Sequence, residues 1–285
     1  MTTGCAGRWQ GWRLWVVVCL LETTFATGAP AGDGPQDAAP LAATEVLDRA
    51  FTARYELDMT SVIELVVHNQ EGQQRTRRLR ATTKRIGGRV HSIGRLVEPE
   101  YLRGMTILTI EAKGRNHDAF LYLPSLDRVR RITTAHRGDS VFGTDVTYED
   151  LERQRIETFE IMTLRAADET EWMGEPSYLV EATPRRAYNY GGVHFVVARE
   201  DFALLATRYF KRGATRPYRV VTADRADMLL RDGIILPTRL SVQNLDRGTR
   251  TEVHLTELSI NPPIDDHLFS VQALEAQRPL PVQAH

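Results

Sequence analysis

Cysteine is almost missing from this chain. Only two occur in 285 residues, Cys5 and Cys19, both near the amino terminus. Beyond residue 19 there is no disulfide, thiol nucleophile or thiolate metal ligand to be had. A surplus of charge is missing too: 36 Lys and Arg against 37 Asp and Glu leave a formal net charge of −1. That balance gives no pull towards nucleic acid or a strongly anionic surface. Long apolar runs are also lacking. The run Leu14–Leu21 holds eight residues, whereas a membrane-spanning helix needs about 20. No Walker-type or G-x-G-x-x-G phosphate loop occurs. The histidines (His68, His91, His117, His136, His194, His254, His267, His285) are scattered, none at H-x-H or H-x-x-x-H spacing. No metal site and no cofactor is expected.

What is present begins with an export signal. Arg8 and Arg13 form a basic region, Leu14–Leu21 an apolar core, and small residues follow. Cleavage after Gly28 and after Ala31 both fit. Lipid attachment at Cys19 does not, because Val18 is bulky and the cysteine sits inside the apolar run. The expected organisation is a signal over 1–28, a flexible Ala/Pro/Gly/Asp-rich lead-in over 29–40, one domain over 41–274 and a tail over 275–285. The mature chain is expected to be soluble and not membrane-spanning.

The dominant period of the rest is two. From Tyr55 the odd positions run Tyr55, Leu57, Met59, Ser61, Ile63, Leu65 and Val67, with Glu56, Asp58, Thr60, Glu64 and His68 between them. That is a long strand with one apolar face. Arg75–Arg85 suggests the next strand, turning at Gly87-Gly88. Further candidates are Met105–Glu111, His117–Leu123, Arg128–Thr133, Ile156–Leu164, Tyr178–Thr183, Val193–Arg199, Ala203–Lys211, Tyr218–Met228, Ile234–Asn244 and Thr251–Ile260. Turn chemistry separates them at Lys113-Gly114, Gly191-Gly192, Arg212-Gly213, Asp232-Gly233 and Arg247-Gly248. One helix is expected from Thr44 to about Arg54, with Val46, Leu47, Ala50 and Phe51 on its apolar side. About eleven strands joined by hairpins imply one curved antiparallel sheet or an open barrel. Two or three short helices cannot cover its apolar face, so a concave ligand cavity is expected; a fully packed sandwich is the alternative.

No catalytic set stands out. Gly138-Asp139-Ser140-Val141-Phe142-Gly143 has one residue too many for G-x-S-x-G. Asp145, Glu149 and Asp150 are candidate paired carboxylates. Thr147 with Asp150 reads better as a capping box opening a turn at Tyr148–Leu151, where acidic side chains are favoured. With no nucleophile, base and orienting group to name, the protein is not expected to be an enzyme.

The most distinctive segment is Leu121–Leu151, LYLPSLDRVRRITTAHRGDSVFGTDVTYEDL. Tyr122-Leu123-Pro124, Leu126, Arg128-Val129-Arg130-Arg131-Ile132, Asp139-Ser140, Phe142-Gly143-Thr144-Asp145 and Thr147-Tyr148-Glu149-Asp150-Leu151 together resemble the LolA/LolB-like family of outer-membrane lipoprotein-sorting proteins. The resemblance is to its larger branch, often associated with exporters of the resistance–nodulation–division type. The core match covers about thirty residues. Weaker echoes lie at Glu45–Met59, Leu236-Pro237 with Leu240–Asn244, and Asp265–Ser270. Val141-Phe142 sets the aromatic one place late, and Val146 stands where Phe is frequent.

The resemblance implies an incomplete antiparallel barrel of about eleven strands, covered by short helices and holding acyl chains. It implies a soluble periplasmic carrier that takes a lipid or acylated lipoprotein towards the outer membrane or an exporter. The implied partners are an inner-membrane exporter of that type or an outer-membrane acceptor, with no nucleic acid. Leu57, Met59, Ile63 and Leu65 are the first cavity candidates, joined by Met105, Ile107, Phe120 and Tyr122. Arg128, Arg130 and Arg131 meet anionic headgroups or an acidic partner, or form a solvated face. Ser140, Phe142, Asp145, Tyr148, Glu149 and Asp150 are expected at the cavity mouth. A non-catalytic transporter adaptor and a hydrolase using Ser140 remain the rival functions.

Overall fold

Period-two patterning dictates strands, and strands dominate. The computed structural model describes residues 41–52, 57–112, 117–172, 174–231 and 234–281, side chains 165–171 and 231 excepted. The signal over 1–28, the lead-in over 29–40 and the tail's last four residues lie outside them, as do Tyr55 and the turns Lys113-Gly114 and Asp232-Gly233.

The first half contributes β1 (Met59–His68), β2 (Gln74–Ile86), β3 (Arg89–Glu98), β4 (Thr106–Ile110), β5 (Asp118–Leu123) and β6 (Arg128–Ile132). The second contributes β7 (Phe159–Trp172), β8 (Glu175–Pro184), β9 (Gly192–Ala198), β10 (Leu204–Phe210), β11 (Pro217–Ala223), β14 (Arg239–Asn244) and β15 (Thr249–Ile260). These form one antiparallel sheet of 13 strands, ordered β6-β5-β4-β3-β2-β1-β15-β14-β11-β10-β9-β8-β7. β12 (Met228–Arg231) and β13 (Ile234–Pro237) make a separate hairpin. The sheet stays open. Its two edges, β6 and β7, are consecutive along the chain, so residues 133–158 run from one edge to the other as a strap.

The strands number fifteen, against about eleven expected, for three reasons. Ile234–Asn244 breaks between β13 and β14, and β12 forms as a strand of its own beyond β11. β3 has no clean alternation because both its faces are covered. Val90 and Ser92 face the cavity described below, while Ile93 packs on the far side against Leu268, Phe269 and Leu274. The turn into β3 has Gly87 and Gly88 at φ +57° and +76°, the paired positive angles of a tight hairpin that only glycine adopts at no steric cost.

Helix α1 (Ala43–Thr52) buries Val46, Leu47, Ala50 and Phe51, the four residues of its expected apolar side, and starts one residue earlier than expected. They pack on Phe159, Val180, Val193, Phe195 and Tyr209 of the second half. The strap fills the same concave side over β1, β2, β4, β14 and β15, where Val141, Phe142 and Tyr148 meet Leu65, Leu79, Ile107, Val242 and Val253. Outside, the carboxy-terminal segment with α2 (Val271–Glu275) covers β3–β6, and the β12–β13 hairpin covers part of β9 and β10.

Candidate functional site

Between the strap and the curled sheet lies a cavity of about 330 Å³, within the range of about 300–1,000 Å³ usual for small-molecule sites. β1 supplies Met59, Ile63 and Leu65, with Leu57 just before it. Leu79, Ile107, Val242, Val253 and Leu255 continue the wall on neighbouring strands, and Val141, Phe142, Val146 and Leu151 of the strap close it. Successive side chains of a strand point to opposite faces. Met59, Ile63 and Leu65 therefore share this wall, and Val62 is buried elsewhere.

Five of the eight candidate cavity residues, Leu57, Met59, Ile63, Leu65 and Ile107, lie together on this lining. Met105 packs beside the same cluster, just before β4. Phe120 and Tyr122 do not join them. In β5 the short Ala119, with Leu121, takes the concave side, and the two aromatics turn outward beneath the carboxy-terminal segment. There Tyr122 donates to Asp127 at 2.8 Å and accepts from Gln277 at 2.8 Å. Arg128, Arg130 and Arg131 lie exposed on the edge strand β6, with Arg131 paired to Asp118.

The strap is held by its acidic residues. Asp150 accepts from the Thr147 backbone N–H at 2.7 Å and hydroxyl at 2.9 Å, closing the turn as a capping box. The same carboxylate takes both arms of Arg219 on β11, at 2.5 and 2.6 Å, a fork-to-fork geometry that fixes position as well as energy. Arg219 is 2 % exposed and lies 4.3 Å from the Tyr209 ring centre. Burial alone depresses its basicity, but the Asp150 carboxylate outweighs that and holds it above its ordinary value.

Asp145 accepts from the hydroxyls of Thr249 at 2.5 Å and Thr251 at 2.9 Å, both on β15. Glu149 accepts from the backbone and side-chain nitrogens of Asn189, and burial pushes its carboxyl up. A Cβ on Gly138 would come within 2.2 Å of the Asn189 amide, so a larger residue there would displace the Asn189 side chain from Glu149. Ser140 donates to the Thr144 carbonyl, and Phe142 sits at φ +54° with its carbonyl accepting from Arg77. Ser140 thus takes part in strap geometry. Tyr148 is buried in the cluster that the strap shares with the sheet.

Several residues here gave no sequence signal. Arg219, Thr249, Thr251 and Asn189 reach the strap from strands and loops 40 to 106 positions away. A second group lies where strap and sheet meet. Arg137 pairs with Glu152 and donates to the His117 carbonyl. Glu111 accepts from Val90 N–H at 2.7 Å and from Arg155. Burial pushes its carboxyl up, but those two hydrogen bonds prevail and hold it below its usual range. His117 accepts from Arg153 N–H at 3.1 Å, and burial lowers it to about 4.

An open antiparallel sheet with a strap and a helix on its concave side defines the fold, and solved structures share it. A domain described as an outer membrane lipoprotein-sorting protein, from Vibrio parahaemolyticus, superposes with TM-score 0.73 at 18 % identity, covering 81 % of this chain and 97 % of that one. A DUF1329 family protein from Desulfovibrio piger gives 0.72 at 20 %, with the same coverages. A LolA superfamily protein from Nitrosomonas europaea gives 0.62 at 18 %, covering 82 % and 100 %. Residues 88–276 match a family model whose description reads "Uncharacterized protein", and no curated protein matches in sequence. The chain belongs to that family, and its fold is LolA/LolB-like.

Two measurements check this geometry. Asp150→Asn, which leaves buried Arg219 without its carboxylate, is expected to cost roughly 3–5 kcal/mol in urea unfolding. Adding Arg219→Met should recover part of that loss; simple additivity would contradict the pairing. For His117 the folded value of about 4 lies below the ordinary histidine value of 6.5. The unfolded chain then binds more protons between these pH values, so stability falls as pH drops from 6.5 to 4. Thermal melts across that window should show a shallower fall for His117→Gln than for the parent chain; parallel curves would refute this.

Proposed function

We propose that this protein is a carrier in the bacterial envelope that holds a lipid or the acyl chains of a lipidated protein in the cavity beneath the strap. It passes them to an acceptor in the outer membrane or to an exporter. The observation that carries this reading is the lining, in which aliphatic side chains of β1, β2, β4, β14 and β15 face Val141, Phe142 and Val146 across the space. Taking an acyl chain out of water gains about 0.8 kcal/mol per methylene, and such a lining offers no competing polar partners along most of its length. From Met59 to Leu65 the wall runs about 20 Å, at roughly 3.3 Å per residue.

The names of the related structures, one for lipoprotein sorting and one for the LolA superfamily, support the same reading. So does the basic, apolar and small-residue order of residues 8–31, which suits export to the periplasm. Transfer needs a partner with comparable apolar surface rather than a reacting group. The non-enzymatic reading rests on that and on the engagement of Ser140 by the strap.

Native mass spectrometry of the protein isolated from its host should show added mass that fragments to acyl chains. Ile63→Trp, which fills the cavity, should lower uptake of a fluorescent fatty-acyl probe at least about tenfold, a loss of roughly 1.4 kcal/mol, with the fold intact. Bare protein from the host together with no probe uptake would contradict the carrier and favour a transporter adaptor.

A further inference from the structure

The apolar cavity shares a wall with a second, charged space. A cleft of about 700 Å³ opens beside it, and His117 and Arg153 line both. Four arginines line this cleft, Arg89, Arg153, Arg155 and Arg186, against the carboxylates of Glu111, Glu152 and Glu157. The carboxylates are largely engaged: Glu111 by Arg155 and, at 3.8 Å, by Arg153; Glu152 by Arg137. Arg137 raises the basic side to five against three. Arg89 and Arg186 stand exposed on the rim. A neighbouring hollow of about 430 Å³ shares Arg137 and Arg186 and adds Arg131. The positive side of the balance therefore gathers around one end of the apolar cavity, in a chain whose total is −1.

The junction itself is polar. Thr83, Ser92, Thr109 and Thr207 join His117, Arg153 and Gln154 on a lining otherwise mostly aliphatic. The Gln154 side-chain oxygen is buried there with no hydrogen-bond partner. A buried acceptor of that kind costs free energy unless a donor arrives. Its chain neighbours are the cleft residues Arg153 and Arg155, so a donor reaching it lies between the acyl space and the arginines.

We propose that the arginine cleft is a headgroup subsite, and that the ligand is a phospholipid-like amphiphile with an anionic headgroup. Its chain occupies the apolar cavity, a hydroxyl or amide at the headgroup linkage donates to Gln154, and its phosphate lies among Arg153, Arg186 and Arg89. Arginine suits that task because its planar fork matches phosphate oxygens. The inference rests on the carrier reading and narrows it towards free anionic lipid over lipidated protein, whose acylated amino terminus brings no phosphate.

The test uses the delipidated full chain and probes that share a palmitoyl chain: monopalmitoylglycerol, lysophosphatidylcholine, lysophosphatidylglycerol and a palmitoylated lipopeptide. Lysophosphatidylglycerol is expected to bind about tenfold more tightly than the neutral glyceride at low salt, and the preference should shrink as salt rises. Arg89→Gln with Arg186→Gln should reduce it to about threefold or less, and Arg153→Gln should do the same. Binding of the neutral probe to the double variant reports that the fold is intact. Equal affinity for neutral and anionic probes, or preference for the lipopeptide, overturns the headgroup subsite and leaves the carrier standing. No binding of any probe overturns both.

Discussion

Everything at this site depends on how the strap is tied across the opening of the sheet. The edge strands β6 and β7 are not paired with each other, so no ladder of backbone hydrogen bonds closes the fold on that side. Closure falls to residues 133–158 and to a few polar contacts. Asp150 takes both arms of Arg219, Asp145 takes Thr249 and Thr251, and Glu149 takes Asn189. Each partner sits beyond the strap, so these carboxylates pin one segment to β11, β15 and the β8–β9 connection. They hold in place the segment whose Val141, Phe142 and Val146 form one wall of the cavity.

The division of labour between faces follows from the same constraint. A sheet this wide presents more apolar surface than two short helices can cover. On the outside the carboxy-terminal segment and the β12–β13 hairpin do the covering. On the concave side α1 packs against β7–β10, and the strap against β1, β2, β4, β14 and β15. The space between the strap and the sheet stays open to a chain-like apolar guest. Ion pairs crowd the rim: Arg137 with Glu152, and Arg155 with Glu111.

How much of this was legible in the sequence depends on range. Local signals carried far: the period of β1 placed Met59, Ile63 and Leu65 on one face, and the helical spacing of Val46, Leu47, Ala50 and Phe51 predicted which side α1 buries. The spacing of Thr147 and Asp150 marked a capping box that is present. Long-range facts were not legible. Arg219 looks like any arginine in a strand until the register sets it under Asp150, and Thr251 likewise. β3 escaped because both its faces are packed, which erases alternation. The facing of Phe120 and Tyr122 turned on what covers the outer side of β5, a segment some 150 residues downstream.

Photo-crosslinking tests the central claim most directly. A palmitoyl probe with a diazirine near its terminal carbon is bound, irradiated, and its adducts are mapped by peptide mass spectrometry. The account predicts adducts on Ile63, Leu65, Val141, Phe142 and Val242, facing each other across the cavity. Adducts concentrated on Phe120, Tyr122 and the carboxy-terminal segment, or spread evenly over the surface, would contradict it.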